Sequence, residues 1–140
     1  GYKPLKDLYK TEVFALAEWR NANNPAAMLG DDAPIPNRII TKPPSAELRE
    51  DQKDSDSLPE YEVLDDILRG LIDFEWPVEA LLDRGHTPKD IARIQNLLYI
   101  AEYKRRQAPP GVKIGTKNFG RDRRYPITNR YLDAVPQTKP

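Results

Sequence analysis

The sequence predicts a mostly helical chain interrupted by long irregular segments. Apolar residues recur at helical spacing in several stretches. Proline occupies 14 of 140 positions, about twice its usual share of roughly 5%. Hydrophobic residues make up 39% and charged residues 31%, a wet balance beside the roughly 45–50% apolar share, glycine included, of ordinary domains. A good part of the chain is therefore expected to be irregular and to lean on something else. The length allows one ordinary domain. No apolar run approaches the ~18 residues of a membrane span, and no stretch has a signal-peptide pattern. Cysteine is absent, which excludes disulfides and thiolate metal sites. His86 is the single histidine, which excludes a histidine-cluster metal site. Gly1 stands where an initiator Met would, as at a cut point.

In chain order, Leu8, Val13, Leu16, Ala17 and Trp19 mark a first helix that Asp7 can cap, and Asn21 to Pro25 end it. A loop with Gly30 and several prolines follows. Ile39 and Ile40 form a short apolar pair, expected to make a strand-like contact. Lys42-Pro43-Pro44 reads as a rigid turn opening into a short helix, and 49–57 as an acidic, mobile loop. A helix is then expected from Glu60 to Asp73, with Leu64, Ile67, Leu68, Leu71 and Ile72 on one side. Pro77 opens a second helix and Gly85 stops it. Thr87 caps a third, with Pro88 at its first position and Ile91, Ile94, Leu98 and Ala101 at helical spacing. Lys104, Arg105 and Arg106 are expected in its last turn, where cations suit the helix dipole. From Gln107 onward the chain is rich in Pro, Gly and Arg and has no period.

The net charge is zero, but its distribution is uneven. Residues 46–76 hold eleven acids and three bases, a balance of −8, whereas 104–130 hold nine bases against Asp122, a balance of +8. Two opposite blocks either dock on each other or leave the basic one for an anionic ligand. Arg forks bind phosphates and carboxylates bidentately, and Tyr can stack on a ring. Residue chemistry alone leaves both readings open.

Other chemistries have less behind them. There is no Walker-type loop and no Gly-x-Gly-x-x-Gly. His86, in the turn Gly85-His86-Thr87-Pro88, is expected to face solvent. Asp65 and Asp66 are adjacent in a helix and cannot easily share a site, so a solvated face is expected. The acids between Asp51 and Asp56 lack calcium-loop spacing. The two short helices around Gly85 also resemble a helix-turn-helix, which makes nucleic-acid binding the alternative reading. The start of its would-be recognition helix, Pro88, Lys89 and Asp90, offers few base-reading side chains.

The ordered motifs Lys42-Pro-Pro-Ser-Ala-Glu-Leu48, Asp56-Ser-Leu-Pro59 with Tyr61 and Leu64-Asp65, Glu102-Tyr-Lys-Arg-Arg-Gln107 with Pro109-Pro-Gly111, and Gly120-Arg-Asp-Arg-Arg124 are similar to NAD synthetase. More narrowly, they resemble the C-terminal part of the synthetase domain in the glutamine-dependent, two-domain form. The resemblance implies that residues 1–128 are part of that domain and 129–140 a C-terminal tail. It implies a Rossmann-like α/β fold of the ATP-pyrophosphatase type for the complete domain, assembled as a homo-oligomer in the cytoplasm.

The implied reaction is amidation of deamido-NAD through an adenylate, with ATP and Mg²⁺ as co-substrate and ion. Ammonia comes from glutamine through an amidase domain. The family's Ser-Gly-Gly-x-Asp-Ser loop and the amidase domain are not in these residues. The fragment alone is therefore expected to be inactive and to bind no cofactor, with the rest of the enzyme as its partner and neither membrane nor nucleic acid among its ligands. Lys104 and Lys42 carry over by identity, and Tyr103 by position. Lys104 and Tyr103 match the segment that meets deamido-NAD, Tyr103 standing where ammonia-dependent members have His. Lys42 matches the lysine that reaches the ATP phosphates.

Overall fold

A computed structural model describes residues 1–25, 28, 30, 32–42, 58–118, 120–128 and 133–135. The described residues form helices α1 (Lys10–Ala22), α2 (Asn37–Thr41), α3 (Tyr61–Ile72), α4 (Val78–Asp83), α5 (Pro88–Ile100) and α6 (Glu102–Gln107), with no strand among them. The chain divides into two compact units, one of Gly1–Leu8 with Pro59–Pro140 and one of Tyr9–Leu58. The expected helix after Lys42 and the acidic loop 49–57 lie outside the described residues.

In the first unit the apolar periodicity becomes a core. Ile67, Leu71 and Ile72 of α3, Val78 and Leu81 of α4, and Ile91, Ile94 and Leu98 of α5 are buried together. Burying such a side chain fully contributes about 1.5–3 kcal/mol relative to leaving it exposed. α3 and α4 both pack against α5. Trp76 and Leu81 press on α3 at Gly70, where a Cβ would come within 2.8 Å of the Trp76 ring and 2.7 Å of Leu81 Cδ2.

The turns around this core follow from single residues. Gly85 adopts φ +93° after α4, its N–H donates to Leu82 O (2.9 Å), and the His86 N–H donates to Leu81 O (3.2 Å). This is the Schellman pattern, which satisfies the last carbonyls of a helix. Thr87 caps α5 by accepting the Asp90 N–H at 3.1 Å. Leu81, Ile91 and Ile94 of the α4–α5 pair that resembles a helix-turn-helix are turned into the core.

Elsewhere the structure departs from expectation. The first helix starts at Lys10, and Glu12 rather than Asp7 meets its free end by accepting the Tyr9 N–H at 2.9 Å. The Asp7 carboxylate instead accepts the N–H groups of Ile114 and Gly115 at 2.7 and 3.0 Å, more than a hundred residues away. Ile39 and Ile40 lie in α2 rather than in a strand, because Pro36 opens a helical turn and the described residues offer no strand to pair with. The third helix of the core breaks at Ala101, the C-cap of α5 and N-cap of α6, so the Lys104-Arg105-Arg106 run sits in the last turn of a separate short helix.

In the second unit α1 packs on α2. Asn21 fixes the returning chain by donating to Ile35 O at 2.7 Å and accepting the Ile35 N–H at 3.0 Å. Leu16 and Trp19 of α1 remain exposed.

Candidate anion-binding site

The basic segment is anchored by one buried carboxylate. Glu102, 1% exposed, accepts from Arg105 Nη2 at 2.6 Å and from Arg106 Nε at 3.0 Å. Arg105 also donates to Leu98 O at 2.8 Å, and Arg106 to Tyr125 O at 2.9 Å. Burial opposes the charge on Glu102, but the Arg106 and Arg105 guanidiniums outweigh it and hold the carboxyl below its ordinary range. These bonds weld the end of α5, all of α6 and the strap around Tyr125 into one piece.

Part of the basic block docks on the acidic one. Glu75 accepts from Lys117 at 2.7 Å and from Arg123 at 2.9 Å, which draws its carboxyl below the usual range, Lys117 first. Arg123 also donates to the Leu71 carbonyl. Tyr125 then packs edge-on against Tyr99, with centroids 4.4 Å apart. Burial, aided by the charge of Asp133, pushes the Tyr99 phenol up to about 12.

The remaining cations turn elsewhere. Lys6, Arg105, Arg106, Lys113, Arg121 and Arg124 line a cavity of about 510 Å³, and Asp122 is the carboxylate among its described lining residues. The docking reading therefore holds for Lys117 and Arg123, while Arg105, Arg106, Lys113, Arg121 and Arg124 of the same block line an open space. The sequence gives no sign that Lys6 belongs with this group. It arrives because the Lys3 N–H donates to Pro110 O at 3.0 Å and Lys6 Nζ to Pro109 O at 3.1 Å. Gly111 makes room, since a Cβ there would collide with the Lys3 carbonyl.

Of the residues singled out for substrate, Tyr103 and Lys104 are neighbours on the exposed side of α6, with Lys104 Nζ 5.9 Å from the Tyr103 ring centroid. Neither lines the cavity. Lys42 is exposed at the C-terminus of α2, in the other unit.

Two expectations about polar residues fail. His86 does not face solvent: its side chain is 11% exposed, with Nε2 2.7 Å from Asp66 Oδ2. Arg84 grips the same carboxylate at 2.8 Å and lies 4.9 Å from the Trp76 ring centroid. The Arg84 hydrogen bond, more than that of His86, draws Asp66 below its ordinary range. Asp65 is buried at 4% exposure rather than solvated. The Schellman turn meets α3 at Asp66, and that contact between distant residues takes His86 out of solvent. Among the described residues no three His, Asp or Glu side chains come together as metal ligands, and no helix is long and apolar enough to cross a membrane.

The sequence model of the NAD synthase family matches residues 1–108. The chain belongs to the NAD synthase family. It is 51% identical over 134 residues to the glutamine-dependent NAD(+) synthetase of Rhodobacter capsulatus, covering 95% of this chain and 24% of that protein. It is 42% identical over 135 residues to the protein of the same name from Thermotoga maritima, covering 96% of this chain and 22% of the relative. The solved structure of glutamine-dependent NAD+ synthetase from Acinetobacter baumannii in complex with adenosine diphosphate superimposes with a TM-score of 0.53 at 34% identity, covering 92% of this chain and 21% of that one. The chain thus spans less than a quarter of the length of each of these relatives. These likenesses favour the synthetase reading over the helix-turn-helix one. Lys42, Tyr103 and Lys104 fall inside the family match, whereas Lys113, Arg121 and Arg124 lie beyond it.

Proposed function

We propose that this chain is the C-terminal portion of the synthetase domain of a longer glutamine-dependent NAD synthetase, and that it supplies substrate contacts rather than the reacting groups. Its membership of the NAD synthase family carries the reading. In the complete protein a nicotinate carboxylate oxygen of deamido-NAD attacks the α-phosphorus of ATP, and pyrophosphate leaves. Ammonia then attacks the carboxyl carbon, loses a proton and displaces AMP, leaving the amide of NAD. Residues 1–128 belong to the domain, whose upstream part completes a Rossmann-like α/β fold, and 129–140 form a tail. The protein works as a cytoplasmic homo-oligomer.

Lys104 and Tyr103 meet deamido-NAD. Their exposure on a helix held rigid by the Glu102–Arg105 pair supports this, since a flexible ammonium on a fixed base can meet a phosphate or carboxylate. Lys42 reaches the ATP phosphates, where an ammonium stabilises the charge that develops as pyrophosphate departs. Magnesium belongs with the ATP in this reading, and none of the described residues is assigned to it.

Incubating the complete protein with ATP, Mg²⁺, deamido-NAD and ammonia should yield NAD, AMP and pyrophosphate in equal amounts. Formation of ADP and phosphate, or no NAD from any of these mixtures, would contradict the reading.

A further inference from the structure

The cavity between α6 and the two ends of the first unit involves none of the residues assigned above to deamido-NAD or ATP. Its charge is strongly one-sided, with six cations around one carboxylate among the described lining residues. That carboxylate is already engaged. Asp122 accepts from Lys113 Nζ at 2.7 Å and from the Asn118 N–H at 2.7 Å. Arg105 and Arg106 are likewise committed to Glu102 and to main-chain carbonyls. Arg121 and Arg124 differ: both are exposed, and among the described residues neither guanidinium makes a hydrogen bond or close ion pair, although the Arg121 charge acts on Asp122 from farther off.

Two exposed guanidinium forks lining one cavity have the donor pattern that takes a tetrahedral oxyanion bidentately. The surrounding cations raise the local anion concentration further. The frame is held in place. Pro109 and Pro110 limit the backbone on one side, and their carbonyls tie down Lys6 and Lys3. On the other side Asp122 closes the turn that begins at Asn118. At about 510 Å³ the space falls within the roughly 300–1,000 Å³ of small-molecule sites, more than one carboxylate would fill.

We propose that this cavity is a phosphate-class oxyanion site, in which Arg121 and Arg124 clamp a pyrophosphate or terminal phosphate group and Lys6 and Lys113 offset its charge. The chemistry fits either free pyrophosphate or the phosphates of a nucleotide. The site stands on its own residues and does not depend on the synthetase reading.

Inorganic pyrophosphate is the probe, titrated into the full chain by calorimetry without ATP or deamido-NAD. Binding should saturate and weaken with added salt, as contacts between cations and phosphate do. Because Arg121 and Arg124 are exposed and their guanidiniums make no hydrogen bond among the described residues, Arg121→Gln with Arg124→Gln should leave the fold intact, checked by circular dichroism. The pair should lose affinity roughly ten- to hundredfold, as expected for charge-assisted contacts. Lys89→Gln, an exposed cation on α5 away from the cavity, should bind like the parent. Competition by deamido-NAD or ATP would assign the clamp to a nucleotide phosphate, and its absence to free pyrophosphate; the oxyanion site holds in both cases. No saturable binding by the parent would overturn the proposal. So would an unchanged affinity in the double variant, or an equal loss in Lys89→Gln.

Discussion

Glu102 is 1% exposed and holds two guanidiniums, so its substitution is felt through its partners. Glu102→Gln removes the charge and so breaks the buried Glu102–Arg105 ion pair from one side. Breaking a buried ion pair from one side costs about 3–5 kcal/mol, which should appear as a lower urea midpoint. The pH dependence has a definite sign. Glu102 and Asp66 both have folded pKa values below their ordinary 4.5 and 3.8. Their contribution is therefore complete above those values and is lost as pH falls through the depressed ones. The parent protein should lose stability steeply on acidification below those ordinary values, and Glu102→Gln should show a shallower loss. Equal slopes would show that Glu102 is not held charged by its arginines.

At the scale of elements, Gly70 decides how closely Trp76 and α4 approach α3. Alanine favours helix over glycine by about 1 kcal/mol. Against that, a methyl here meets Leu81 and Trp76 at less than 3 Å, and overpacking a core typically costs about 1–3 kcal/mol. The clash outweighs the propensity, so Gly70→Ala should lower the thermal midpoint. At Gly85 the penalty is conformational instead. Nothing lies within 4 Å of a Cβ there, but φ is +93°, and Gly85→Ala should cost about 1–2 kcal/mol for the left-handed backbone. A midpoint that rises in either variant contradicts the packing described here.

The elements that the sequence reveals are those encoded by neighbours. The stripe from Ile67 to Ile72, the Thr87-Pro88 start and the Gly85 stop need only local periodicity and turn chemistry, and they appear within a residue or two of expectation. What is not legible comes from distant contacts. Asp7 looks like a cap until Ile114 and Gly115 claim it. His86 looks solvated until Asp66 reaches it across the turn. Nothing local to Lys6 pairs it with Arg121, and the bonds that Lys3, Lys6 and Asp7 make to Pro110, Pro109 and Ile114–Gly115 bring it to the same cavity. The break at Ala101 has no Gly or Pro to announce it. Arg105 spans it by donating to Leu98 O.

For the whole molecule, the two units carry different halves of the proposed chemistry, Lys42 on one and Lys104 on the other. Lys42 is proposed to act where charge shifts as pyrophosphate leaves. Lys42→Met keeps the stem and deletes the charge. Losing one such contact commonly lowers kcat by about 10²–10³, whereas a contact made equally in the ground state mainly alters KM. The loss should appear in pyrophosphate release with ammonia supplied directly, a condition that bypasses the amidase domain. Near-normal release at saturating ATP would remove Lys42 from catalysis without touching the family assignment.

The substrate role of α6 is tested most directly by the affinity of the complete enzyme for deamido-NAD with Lys104→Ala. Lys104 is exposed and its recorded side-chain contact is the Tyr103 ring, so the substitution leaves the Glu102 network and the core in place. One charge-assisted contact is typically worth about 1.5–3 kcal/mol, which corresponds to roughly a ten- to hundredfold weaker affinity. Glutamine hydrolysis, measured with the synthetase site empty, should keep its rate and so report an intact protein. Weaker deamido-NAD binding beside unchanged glutamine hydrolysis is the predicted result. Unchanged deamido-NAD affinity would contradict the placement of substrate on α6.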